Sequence, residues 1–160
     1  MQSLKNLVSI TTLYKEKVRN KKMGMYTELN LKVAIENDSI VVDVLKDLCK
    51  YGSSTVKNRL NHPFFKTTRC NLIGKCGSYY FDGQPYIQFR YDKIANCWFL
   101  TTCFNLKNYD QEIEKFLDWL CPYILTEGYI GTYWYEEQEE PINIYKENRK
   151  IKIGNVVNSF

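Results

Sequence analysis

The sequence predicts a single α+β domain, in which an antiparallel sheet of about six or seven strands carries two helices packed mainly on one face. Residues 29–35 alternate between apolar and polar side chains, as in a half-buried strand, and residues 41–48 repeat apolar side chains at helical spacing. The pair Asp82-Gly83 between two aromatic runs indicates a β-hairpin. With 160 residues and 44% hydrophobic content, the chain can bury one core, and no second domain is expected.

The expected order of elements is β-α-β-β-β-β-α-β-β. Asp38-Ser39 stand before the first helix as capping residues, and Gly52 follows that helix as a stop signal. Residues 53–61 are polar and predict a loop, and residues 67–73 are a weaker strand candidate.

The predicted hairpin decides which side chains share a face of the sheet. If Phe81 lies opposite Gln84, and Tyr91 lies opposite Cys97 after a second turn, Arg90 lies beside Trp98. One face then shows aromatic side chains and polar tips, namely Tyr79, Tyr86, Gln88, Arg90, Trp98 and Thr102. The other face is mostly apolar and is expected to be the core, with Tyr80, Ile87, Phe89, Cys97, Phe99 and Cys103.

The second helix is predicted after Asn108, the expected N-cap, with Gln111 as its capping-box partner. Residues 113–120 are amphipathic, and Pro122 is expected to end or kink the helix. Strands are predicted at residues 129–135 and 142–145, with an edge at 149–153.

Charge separates a short arm from the rest of the chain. Residues 1–22 contain six basic residues against Glu16 alone, a net charge of +5, and because the whole chain carries +4, residues 23–160 carry −1. A domain that binds long nucleic acids needs a basic surface, so the folded body is not expected to bind one. We therefore divide the chain into a basic N-terminal arm (1–22), an α+β domain (23–154) and a C-terminal tail (155–160).

Several classes of protein are disfavoured by missing patterns. No apolar stretch approaches the ~20 residues that span a bilayer, so we expect a cytoplasmic protein without a membrane partner. The six cysteines lie mostly in apolar runs, and no C-x₂-C turn accompanies them or His62, so neither a metal nor another cofactor is expected. No phosphate-binding loop or hydrolase motif is present, and we expect no enzyme activity.

Short motifs spread over residues 23–147 give the chain a recognisable pattern. They are Met23-Gly24-Met25-Tyr26-Thr27-Glu28-Leu29, His62-Pro63-Phe64-Phe65 with Arg69, Ser78-Tyr79-Tyr80-Phe81, Phe89-Arg90-Tyr91-Asp92, Asn105-Leu106-Lys107-Asn108-Tyr109-Asp110, Glu112-Ile113-Glu114-Lys115-Phe116 and Tyr135-Glu136-Glu137. Together they resemble a family of small uncharacterised proteins from phages and prophages of Gram-positive bacteria. The resemblance implies an accessory protein that acts on a host system, including its defence machinery, by binding rather than by chemistry.

Three functional hypotheses follow. The first is inhibition or modulation of a host defence protein in the host cytoplasm, with the aromatic face and the acidic residues 136–140 as the contact surface. The second is sequestration of a small nucleotide signal, stacked on an aromatic ring with an arginine on its phosphate. The third is a structural or homo-oligomeric phage protein, whose aromatic face is core or dimer contact. The candidate binding residues are Arg69, Tyr79, Tyr86, Arg90, Trp98, Glu136 and Glu137.

Overall fold

The computed structural model describes residues 25–50 and 55–154, so the expectations for the arm (1–22) and the tail (155–160) lie outside the described residues. The described strands are β1 (Thr27–Ile35), β2 (Tyr86–Asp92), β3 (Cys97–Leu106), β4 (Gly128–Tyr135), β5 (Ile142–Glu147) and β6 (Lys150–Ile153). They form one antiparallel sheet in the order β2-β3-β1-β4-β5-β6. Helices α1 (Ser39–Cys49) and α2 (Glu112–Leu120) follow β1 and β3, and short 3₁₀ turns lie at Pro63–Lys66, Cys70–Leu72 and Cys121–Tyr123.

This architecture confirms the predicted α+β fold. The alternation in β1 sorts the sheet into two faces, because its odd-numbered residues from Leu29 to Ile35 are at most 1% exposed. They share one hydrophobic core with apolar residues of both helices, and we call this side the core face. The opposite side, the open face, carries Glu28, Asn30 and Lys32 on β1, Tyr86, Gln88 and Arg90 on β2, and Phe99, Thr101 and Cys103 on β3.

The two helices begin at polar residues that the sequence singles out. The Asp38 Oδ1 atom accepts hydrogen bonds from the Ile40 and Val41 amides at 2.9 and 3.3 Å, as the capping prediction requires. The second helix begins later than predicted, because Gln111 rather than Asn108 stands at its N-cap, with a left-handed φ of 56°. Asn108 still supports this helix start, since its Oδ1 atom accepts from the Ile113 amide at 2.9 Å.

The predicted strand at residues 67–73 is wrong. This segment includes the 3₁₀ turn at Cys70–Leu72, and side-chain contacts hold it against the start of α2 rather than in the sheet. The Thr68 amide and hydroxyl both donate to the Asp110 carboxylate, at 3.1 and 2.7 Å. These bonds satisfy polar groups that a strand would have offered to a neighbour.

The predicted Asp82-Gly83 hairpin is also wrong. A tight turn of type I′ needs a positive φ at both central residues, and here Gly83 alone has one, at 93°. Residues 78–81 form no strand, and the Phe81 ring instead packs edge-on against Trp134 of β4, with 5.4 Å between ring centroids. Residues 78–85, the crossing segment, therefore run across one end of the open face, where Phe81 contacts β4, before the chain enters β2 at Tyr86.

The predicted register between β2 and β3 is wrong by one residue. The turn holds four residues, 93–96, because Asp92 Oδ1 accepts hydrogen bonds from the Ile94 and Ala95 amides at 2.8 and 3.1 Å. Tyr91 therefore lies opposite Trp98. A shift of one residue exchanges the faces of a whole strand, so every predicted β3 assignment is reversed.

Among the described residues, no helix is long and apolar enough to cross a membrane.

Candidate functional site

Two of the predicted binding residues do lie together on the open face. Tyr86 is 41% exposed and pairs across the strands with Cys103. Arg90 is exposed and lies opposite Phe99, whose ring is also 41% exposed. The open face therefore presents two aromatic rings and a guanidinium on adjacent strands.

Trp98 lies on the core face, contrary to the prediction that it neighbours Arg90. Its ring stacks on Phe89 with 4.6 Å between centroids, and its Nε1–H donates to Asn37 Oδ1 at 3.0 Å. The Lys46 ammonium of α1 stands 4.8 Å from the ring centroid. Trp98 is thus part of the packing between β2, β3 and α1.

Arg69 is engaged away from the open face. Its guanidinium donates to Glu112 Oε1 at 3.2 Å, and the Glu112 side chain is fully buried. The second carboxylate oxygen of Glu112 accepts from the Asp110 amide at 3.0 Å, and Arg69 also stands 5.1 Å from the Tyr109 ring centroid. Because a buried carboxylate is costly without a cation, this pair explains the position of Arg69 structurally.

The remaining predicted residues are dispersed. Tyr79 is fully exposed in the crossing segment. The Glu136 carboxylate accepts from the Tyr26 amide at 3.0 Å, and its carbonyl accepts from the Tyr80 hydroxyl, so Glu136 anchors the crossing segment to the end of β4. Glu137 is exposed in the following turn.

A groove of about 230 Å³ lies between the crossing segment and the sheet. Its floor includes Glu28, Asn30, Cys103 and Asn105, and its wall includes Asp82, Gln84 and Tyr86. Sequence reasoning missed the floor residues and Phe99. A signal for the β1 residues was present, since the alternation that buries Leu29 and Leu31 turns Glu28 and Asn30 to the opposite face.

One polar atom at this groove has no partner. Asn105 is 5% exposed, and its Oδ1 atom has no hydrogen bond to any residue of the described ranges 25–50 and 55–154. Leaving a buried acceptor unsatisfied costs about 1–3 kcal/mol.

Two titratable groups of the groove, Cys103 and Glu28, have raised pKa values. Burial, reinforced by the nearby Glu28 charge, raises the pKa of the Cys103 thiol to about 11, so the thiol stays protonated at neutral pH. Burial also raises the pKa of the Glu28 carboxyl above its usual range. The histidine lies elsewhere, where His62 Nδ1 accepts from the Phe64 amide and Nε2 contacts Asp118 at 3.2 Å.

Among the described residues, larger cavities also lie on the other side of the sheet, around α2. One of about 470 Å³ is lined by Met25, Thr27, Asn108, Tyr109, Gln111, Glu114, Tyr133 and Tyr135. Within it, Glu114 accepts from the Tyr133 hydroxyl at 2.8 Å, and burial followed by the Glu114 charge raises the pKa of Tyr133 to about 12. Another, of about 410 Å³, places Glu114 and Asp118 near Arg149 and Lys150.

All six cysteines are free thiols. Within the described part of the chain, no three His, Cys, Asp or Glu side chains come together in a group that could hold a metal ion.

Comparisons with protein-family models, curated proteins and solved structures give no match.

Proposed function

We propose that the protein acts by binding, and that the open face of the sheet is the surface that contacts a partner protein. The observation that carries the proposal is the cluster of exposed Tyr86, Arg90 and Phe99 on two hydrogen-bonded strands. Tyrosine, phenylalanine and arginine are enriched in protein interfaces. The two aromatic residues bury large areas with few rotamers to restrict, and the arginine guanidinium offers several hydrogen-bond donors. The paired strands hold the backbone of these residues in place before binding, which lowers the ordering cost.

The size of the groove favours a protein partner over a free small molecule. Ligand pockets usually measure about 300–1,000 Å³, and the groove measures about 230 Å³. It can take one inserted side chain of a partner protein. Glu28 and Asp82 beside it favour a basic or donor-rich side chain.

The resemblance to phage and prophage proteins supports a host protein as this partner. We propose that binding inhibits or modulates a host protein, with a defence factor as the first choice, in the host cytoplasm. The turn after β4 adds exposed acidic residues next to the anchored end of the crossing segment, which also suits a basic partner surface.

Sequestration of a small nucleotide is the second candidate. It is favoured by the pairing of Arg90 with Phe99, which sets a phosphate-binding cation beside an exposed ring. Several features oppose it. Arg69 is held by Glu112, and the carboxylates of Glu28 and Asp82 repel a phosphate at the groove. The cavity of 470 Å³ is large enough, but its charged lining residue is Glu114.

Affinity capture from a Gram-positive host lysate tests the first candidate with matched baits. A bait carrying Arg90→Ala and Phe99→Ala should bind the captured host protein about tenfold or more weakly than the unaltered chain, since central interface residues each contribute over ~1 kcal/mol. The control bait carries Ile40→Ala and Lys57→Ala, an exposed apolar residue and an exposed cation outside the sheet. Equal binding by the unaltered, open-face and control baits would contradict the proposal.

Thermal unfolding with a panel of nucleotides separates the two candidates. A ligand at 100 times its Kd stabilises the folded state by about 2.7 kcal/mol, which is an easily measured shift. We expect no shift. A shift that disappears in Arg90→Ala would establish the nucleotide candidate and overturn the first.

A further inference from the structure

The two edges of the sheet differ in how they are protected. The β6 edge has four residues, of which Lys150 and Lys152 are charged, and such lysines discourage pairing with another chain. The β2 edge has seven residues and pairs with β3 without a register shift. It contains no proline after Pro85, and Arg90 is its sole charged residue before the final Asp92. The β2 edge is protected less than the β6 edge, by Arg90, the final Asp92 and the Gly74 backbone that packs against Ile87.

The hydrogen-bond pattern shows which backbone groups β2 presents. Ala34 directs its N–H to Thr126 Oγ1 and its C=O to the Leu125 amide, both on the side away from β3. Phe99 lies opposite Ala34 on β3, and the two residues therefore form a non-hydrogen-bonded pair. Because hydrogen-bonded and non-hydrogen-bonded pairs alternate along antiparallel strands, the backbone N–H and C=O of Phe99 point towards β2 and bond to Arg90.

Arg90 and the other even-numbered residues of β2 therefore bond to β3. The N–H and C=O groups of Ile87, Phe89 and Tyr91 point outward, away from the sheet. They make no backbone hydrogen bond to any residue in the ranges 25–50 and 55–154 outside the strand ladder.

These outward groups fit a second copy of the same strand. If two β2 strands pair antiparallel about a twofold axis at Phe89, Phe89 bonds to Phe89 of the second copy, and Ile87 bonds to Tyr91 of the second copy. Every outward N–H and C=O of the three residues is then paired. An axis moved by one residue towards the N-terminus would bring Tyr91 opposite Pro85, which has no N–H to donate.

The side chains of β2 are also compatible with pairing centred on Phe89. On the core face, Ile87 meets Tyr91 and Phe89 meets Phe89, so apolar groups contact apolar groups. On the open face, Gln88 meets Arg90 and Tyr86 meets Asp92, so donors meet acceptors. Such an interface uses the same patch on both copies, as a twofold dimer requires.

We propose that the protein forms a homodimer through antiparallel pairing of its β2 strands, centred on Phe89, which joins the two sheets into one. This inference does not depend on the proposed partner. It also sets the Arg90 and Phe99 side chains of the two copies on one continuous open face.

Charge substitution at Gln88 tests the register with the full chain, by sedimentation or light scattering over a concentration series. Gln88→Lys sets a second cation opposite Arg90 at two symmetric places, whereas Gln88→Glu sets an anion there. Each cross-strand charge pair changes an equilibrium constant by up to about fivefold, and the dimer contains two such pairs. Gln88→Lys should therefore raise the dimer Kd about tenfold, and Gln88→Glu should lower it. Combining Gln88→Lys with Arg90→Glu should restore dimerisation.

Both side chains are exposed, so circular dichroism should show unchanged folding in all variants. A chain that stays monomeric over the whole concentration series would overturn the proposal. A dimer whose Kd is the same in Gln88→Lys and Gln88→Glu would overturn it too, because its interface would lie elsewhere.

Discussion

Replacing Trp98 with alanine should lower the free energy of unfolding by about 3 kcal/mol, whereas Phe99→Ala, one residue further on, should cost less than about 1 kcal/mol. The two losses differ because Trp98 lies on the core face of the sheet and Phe99 lies on the open face. Trp98 is partly buried, stacks on Phe89 and donates to Asn37, and its truncation removes both contacts. Phe99 is 41% exposed on the open face. Urea unfolding of both variants measures the two losses.

Comparison of these two variants also decides the register. If Phe99→Ala proved the more damaging of the pair, Phe99 would belong to the core, Trp98 would lie beside Arg90, and the open face would lose its central ring. Phe89→Ala is a useful companion, because it removes the ring on which Trp98 stacks and should also destabilise the fold.

Arg69→Ala should lower the free energy of unfolding by about 3 kcal/mol, because it leaves the Glu112 carboxylate buried without a cation. Arg90→Ala is the matched control. Its guanidinium is exposed on the open face, and its loss should change stability by less than about 0.5 kcal/mol. Denaturant midpoints of the two variants give the comparison.

A second substitution tests whether the buried Glu112 charge causes this loss of stability. Glu112→Gln removes the buried charge, so the double variant of Arg69→Ala and Glu112→Gln should be more stable than Arg69→Ala alone. If the double variant were less stable, the loss in Arg69→Ala would come from packing against Tyr109 rather than from the unpaired carboxylate.

Local periodicity was enough to predict β1 and both helices. The burial of Leu29 to Ile35 and the Asp38 cap follow from side-chain spacing and hydrogen-bonding chemistry within a few residues. The register of β2 against β3 could not be obtained in that way. It depends on whether the connecting turn holds four or five residues. The Ile94 and Ala95 amides close the shorter turn by donating to Asp92 Oδ1, and side-chain periodicity does not reveal these contacts.

The candidate site was predictable only in part. Tyr86 and Arg90 share a face because they are separated by an even number of residues on one strand. The bond between Arg69 and Glu112 joins residues 43 positions apart, and the packing of Phe81 on Trp134 joins two segments across the sheet. Such contacts are made by tertiary packing, so spacing alone could not place Arg69, Asn105 or the crossing segment.

The most direct test of the central claim is hydroxyl-radical footprinting of the full chain with and without the host protein captured by the unaltered bait. If the open face is the contact surface, labelling of Tyr86 and Phe99 should fall in the complex, while labelling of exposed Ile40 and Leu72 should stay the same. Unchanged labelling of Tyr86 and Phe99, with protection at Ile40 or Leu72 instead, would contradict the account.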